Sequence, residues 1–182
     1  MVPDDVSLEE RAATQHSAGL ADSSTQLREM TREMQARLDA ILGAAHLDII
    51  EDGMPNAINE RLADLLVQDF KTVIPALVST IETGRTAPII AAEILKELGR
   101  VQNAASHASR LWTLERALSL PSPFIRDGAG LGLARLSDPD ALPYLHRALE
   151  DESNAQARAD LQLVINELSE TISNGAPPAG RD

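Results

Sequence analysis

The chain contains no cysteine, only two lysines (Lys71 and Lys96) and only four aromatic residues, Phe70, Trp112, Phe124 and Tyr144, among 182 residues. Without cysteine there are no disulfides, no thiolate metal sites and no cysteine nucleophile. With 16 basic against 28 acidic side chains the formal charge is −12. Binding to nucleic acid relies on cations that release counterions from phosphates, so a chain this acidic is expected to have no nucleic-acid partner. Solubility is the plain reading of the acidity, and docking to a basic partner or mimicry of DNA is the sharper one. No run approaches the ~18 apolar residues of a membrane span. The first eleven residues, M-V-P-D-D-V-S-L-E-E-R, lack the basic and apolar regions of a signal peptide. A soluble cytoplasmic protein with no membrane partner is therefore expected.

Hydrophobic residues still make up 43% of the chain. They are mostly Ala and Leu, mixed with Glu, Gln and Arg, side chains that lose little freedom in a helix. Residues 1–22 read as a flexible polar N-terminus, with an S-x-x-E capping box at Ser7 and Glu10. A second box, Ser23 with Gln26, precedes an amphipathic helix with Leu27, Met30, Met34, Leu38, Ile41 and Ala45 on its apolar face. That face is expected to lie on the core; an oligomer seam along the 27–45 helix is its second reading. Pro55 suits the first turn of a following helix that buries Leu62, Leu65 and Leu66.

From residue 70 the sequence repeats. I-P-A-L-V-S-T-I (74–81) and L-P-Y-L-H-R-A-L (142–149) share a frame, which L-W-T-L-E-R-A-L (111–118) fits with Trp112 in place of proline. Each copy precedes a second helical pattern ending on Leu98, Leu136 or Leu168. The leading leucines 77, 114 and 145 stand 37 and 31 residues apart. Gly84 and Gly99 are expected as helix C-caps. Ser122-Pro123 and Asp138-Pro139 combine an N-cap with proline at the first helical position, and Ser153 with Gln156 reads as a capping box. Two short helices per unit at this period predict an all-α fold, a short α-solenoid of antiparallel helix pairs. The expected organisation is an N-terminal helical cap or degenerate repeat over 23–69 and three repeats over 70–172 (about 70–100, 104–137 and 138–172). A disordered tail is expected over 173–182, where G-A-P-P-A-G stands.

The stretch R-D-G-A-G-L-G-L-A-R-L-S-D-P-D-A-L-P-Y-L-H-R-A-L-E-D-E-S resembles a HEAT-repeat junction: second helix, Asp-bearing turn, next first helix. Ile125, Arg126, Ala129, Leu133, Leu136, Asp138, Leu142, Pro143, Leu145 and Leu149 fill the places of the family pattern. Ala157, Arg158, Leu161, Ile165 and Leu168 continue it. The match covers about 106–170, and 70–100 with Pro88 where the pattern has arginine. The resemblance implies a protein-interaction module whose second helices line a concave, partner-binding surface. Carried over by position, that surface comprises Glu93, Glu97, Arg126, Asp127, Gly130, Arg158, Gln162 and Asn166. In such repeats the arginines also reach the acid of a neighbouring turn, which gives Arg126 and Arg158 a structural alternative.

Enzymatic relatives leave no trace. None of His16, His46, His107 and His146 is followed by glutamate, and no two stand four apart, as the paired His-Glu motifs of an iron-dependent HEAT hydroxylase would require. The basic, aromatic-lined cleft of a HEAT-like glycosylase is absent, and four scattered aromatics give no tetrapyrrole pocket for a lyase. There is no G-x-S-x-G and no calcium-loop spacing. Trp112, aligned with Pro75 and Pro143, is expected at the outer edge of a first helix. The glycines at 128, 130 and 132 fail a dinucleotide fingerprint, since Leu133 stands where the third glycine belongs and no strand precedes. They are expected inside a helix, on different faces, with Gly132 allowing a close helix contact and Gly130 opening the concave groove. The expected function is therefore a non-enzymatic adaptor without cofactor or metal that binds another protein. The alternative is an antitoxin- or immunity-type inhibitor with an acidic surface for a basic toxin or nuclease, and a lyase-like enzyme comes third.

Overall fold

A computed structural model describes residues 25–26, 28–42 and 57–174. The readings of residues 1–22, the Ser23 capping box, Leu27, Ala45 and Pro55, and of the tail from 175 on, lie outside these. Among the described residues there are helices and turns and no strand. Helix α1 covers 28–42, followed by α2 (Ala57–Glu82), α3 (Pro88–Arg100), α4 (His107–Ala117), α5 (Pro123–Leu136), α6 (Leu142–Asp151) and α7 (Ala155–Ser173). Helix α2 is two helices joined at Asp69, whose φ of −150° and ψ of 60° break the spiral. The Asp69 carboxylate accepts the Thr72 hydroxyl at 2.7 Å, which ties the second segment to its own start.

Two layers result. The second segment of α2, with α4 and α6, forms the layer of first helices, and α3, α5 and α7 form the layer of second helices. Each first helix packs on the second helix that follows it, while α5 packs between α3 and α7. This is the antiparallel α-solenoid that the leucine frame predicts. Leu77, Leu114 and Leu145 of the first helices meet Leu95, Leu98, Leu133, Leu161 and Leu168 of the second in one continuous core, all nearly or fully buried. Each such leucine contributes roughly 1.5–3 kcal/mol by leaving water. Helix α1 adds Met34, Leu38 and Leu42, while Met30 is half exposed. Gln35 of α1 hydrogen-bonds Thr80 of α2, and Asp39 pairs with Arg85 at 3.7 Å.

The boundaries follow the sequence cues in part. Gly84 adopts φ 66° beyond the end of α2, a left-handed turn in which glycine is unstrained. Ser122-Pro123 opens α5, and Asp138 caps the turn before α6 by accepting the Asp140 amide. Two cues read differently in three dimensions. Gly99 lies inside α3, whose cap is Val101. The cap of α7 is Asn154, which accepts the amides of Gln156 and Ala157 at 3.0 Å each, in place of the expected Ser153 box.

Gly99 is helical because α3 and α5 touch backbone to backbone. A Cβ on Gly99 would stand 2.0 Å from the Gly132 carbonyl oxygen. One on Gly132 would stand 2.5 Å from the Leu95 carbonyl oxygen, and one on Gly128 2.5 Å from Ala92 Cα. Gly128 and Gly132 are four apart, so they share a helix face and serve a single contact. That corrects the reading that the three glycines serve different faces. Gly130, on another side, is buried under α7 and faces Leu161.

Candidate partner-binding surface

The polar groups of the second-helix layer are largely consumed by the fold. Arg126, at the start of α5, forks onto Glu152 through Nε at 2.6 Å and Nη2 at 2.7 Å. Its Nη1 donates to the carbonyls of Leu120 and Pro121. Glu152 sits in the link between α6 and α7 with a fully buried side chain. The arginine's hydrogen bonds hold its carboxyl below the usual glutamate range against the opposing effect of burial. Arg158 donates to the Glu152 carbonyl at 2.9 Å. Both arginines thus brace the turn that opens α7.

The remaining second-helix candidates divide by exposure. Glu97 is buried, and burial pushes its carboxyl up despite Arg100 and Arg135 nearby. Glu93 is mostly covered and pairs with Lys96 at 2.5 Å. Asp127 is half-buried. Gly130 opens no groove, because the Leu161 side chain of α7 covers it at 3.1 Å from where a Cβ would stand. Of these candidates only those on α7 are exposed, namely Arg158, Gln162 and Asn166, with Gln162 donating to Asn166 at 3.1 Å and Leu163 exposed beside them. The eight residues therefore do not form one continuous surface.

Two buried polar contacts have no counterpart in the sequence reading. Arg110 of α4 donates to Ser106 Oγ and to the carbonyls of Leu98 and Asn103, closing the C-terminal end of α3. His107 Nε2 lies 2.6 Å from Asp138 Oδ2, which links α4 to the Asp-Pro turn. Ser106 stands four residues before Arg110 at the cap of α4, but Leu98 and Asp138 lie on other elements and are not readable from spacing. Among the described residues no group of three or more His, Cys, Asp or Glu is placed to hold a metal. No described helix is long and apolar enough to cross a membrane.

The first-helix layer borders two grooves. The position occupied by Pro75, Trp112 and Pro143 in the three copies is exposed in all three. At α4 it puts an indole outward, with 52% of Trp112 accessible. Tyr144, the neighbour of Pro143, is 49% accessible. Trp112 forms a wall of two cavities. One, of about 630 Å³, opens between α2 and α4 over Phe70, Ile74, Val78 and Ala108, with Lys71 at its rim. The other, of about 660 Å³, opens between α4 and α6 over Leu118, Leu120 and Ala148, with Tyr144, Arg147 and Glu115 around it. Arg116 lies over the indole face: its guanidinium is 5.5 Å from the ring centroid and is hydrogen-bonded to Glu82 of α2. Glu115 is pushed above the ordinary carboxylate range by burial and by Asp138 and Asp140 nearby. Arg126 lines this second cavity too, with its head group held between the α4–α5 and α6–α7 links.

A family model for HEAT repeats matches residues 74–166, just over half of the chain. Comparisons with curated proteins and with solved structures return no match.

Proposed function

The chain belongs to the HEAT-repeat family, whose repeats generally mediate protein–protein interaction, and we propose that it is a non-catalytic docking module that receives its partner across the first helices. Trp112 carries this reading. A half-exposed indole between two cavities of 630–660 Å³ is a costly thing to leave in water, and Trp, Tyr and Arg are the side chains that dominate binding energy at interfaces. Trp112, Tyr144, Arg116 and Arg147 supply that set on one face. Each cavity lies within the 300–1,000 Å³ range of preformed ligand clefts. A partner segment would place apolar anchors on either side of the indole, with the polar rim fixing its register.

A second reading keeps the partner on the second helices. It draws on the exposed patch of α7, where Arg158, Gln162 and Asn166 stand with Leu163 at 65% accessible. Affinity capture from the native host, followed by binding measurements on the captured protein, separates the two. Trp112→Ala is expected to weaken binding about 30-fold, the loss of a ~2 kcal/mol anchor, with the thermal midpoint within a few degrees of the parent. Gln162→Ala combined with Asn166→Ala is expected to leave binding intact. The reverse outcome moves the site to α7. Binding that collapses when salt is raised would instead favour the inhibitor class, an acidic surface holding a basic partner.

A further inference from the structure

Resting on that reading, we infer that the α2–α4 groove is an anchor pocket for one apolar side chain of a partner protein flanked by acidic residues. The groove is a box of about 630 Å³ whose walls are Phe70, Ile74, Val78, Ala108 and Trp112, enough for one phenylalanine or leucine side chain with its backbone. Among the described residues its rim carries a single charge. Lys71 is exposed and makes no ion pair among the described residues, whereas the other lysine, Lys96, is held by Glu93. No carboxylate among the described residues lines the groove. The nearest in sequence, Asp69, already accepts the Thr72 hydroxyl at 2.7 Å. In a chain of net charge −12, an apolar cleft whose one charged group among the described residues is an ammonium is a local inversion of the surface charge. A carboxylate beside the buried anchor would meet Lys71 at the edge of a low-dielectric pocket, where an ion pair is worth more than on open surface.

Trp112 is the only tryptophan, so its emission reports occupancy directly. The probes are two tryptophan-free, end-capped peptides, one with a phenylalanine between glutamates and the other with the same phenylalanine between lysines, and laurate as an apolar carboxylate without a peptide backbone. At about 0.15 M salt the Debye length is about 8 Å. The overall charge of the chain then still favours the lysine peptide, and only a local cation can reverse that order. The glutamate peptide is expected to shift the emission with about tenfold tighter binding than the lysine peptide, twice the effect of one exposed ion pair made or reversed. Lys71→Glu should invert the preference. Ala108→Phe, which fills the groove from an exposed position, should abolish both signals with circular dichroism unchanged. Equal or tighter binding of the lysine peptide overturns the acidic assignment. Undiminished binding to Ala108→Phe overturns the pocket, and laurate binding as tightly as the glutamate peptide overturns a peptide occupant. If Trp112→Ala releases the native partner while the peptides show no preference, only this inference falls. If the partner stays bound to Trp112→Ala, the docking face falls with it.

Discussion

Gly99→Ala is the sharpest test of how the repeats are held together. The new methyl would stand 2.0 Å from the Gly132 carbonyl oxygen, 2.7 Å from its carbonyl carbon and 2.8 Å from its Cα. All three are backbone atoms of a buried helix, so no side chain can rotate away. Relief requires α3 and α5 to part by about 1 Å, and a gap of that size forfeits a quarter to a half of the dispersion energy of the atoms that line it. Leu95, Leu98, Leu133 and Leu136 are fully or almost fully buried in these two helices and would share the loss. Overpacking of this kind costs about 1–3 kcal/mol or more, and the backbone clash places the change at the upper end. Alanine returns about 1 kcal/mol of helix propensity. The net expectation is a loss of about 2 kcal/mol, or roughly 4–8 °C in thermal midpoint for a domain of this size. Urea unfolding followed by far-ultraviolet circular dichroism measures it. Gly130→Ala is the internal control. Its methyl meets only the end of the Leu161 side chain at 3.1 Å, so the propensity gain should bring it within about 1 kcal/mol of the parent, on either side. A Gly99→Ala protein as stable as the parent, or a Gly130→Ala protein that falls as far as Gly99→Ala, would refute the backbone-contact argument.

Two further predictions concern buried carboxylates of opposite behaviour. Arg126→Gln strands Glu152 in a fully buried position and should cost about 3 kcal/mol at neutral pH. Because Arg126 holds the Glu152 carboxyl below its usual range, the pair's contribution is complete above the ordinary glutamate value and is lost as pH falls towards the lower folded one. Unfolding free energies between about pH 6 and pH 3 should therefore slope less in Arg126→Gln than in the parent, and equal slopes would deny the coupling. Glu97 runs the other way: burial raises its carboxyl, so the folded state holds that proton more tightly and stability is lost as pH rises through the folded value. Glu97→Gln should accordingly raise the urea midpoint at pH 7 and leave it nearly unchanged in acid. A lower midpoint at pH 7 would mean that the attraction to Arg100 and Arg135 outweighs desolvation.

The sequence alone determined the helix pairs and their order. Leucine spacing, the Asp-Pro and Ser-Pro starts and the left-handed Gly84 act over a few residues, so they are legible in one dimension. The same frame placed Trp112 at the outer edge of α4, because Pro75 and Pro143 occupy its position in the sister copies. What the frame could not show is which surface stays open. Glu97 and Gly130 stand at positions that line a groove in the family pattern, yet burial of the α3 helix covers one and the Leu161 side chain of α7 covers the other. Arg126 finds its acid 26 residues away, and Gly99 meets Gly132 across two helices. Such pairings join residues with no fixed offset in sequence, and the angle and distance at which neighbouring helices settle decide them. The glycines of α3 and α5 set that distance, closing the second-helix layer at this contact, while the cavities on both sides of Trp112 lie in the first-helix layer.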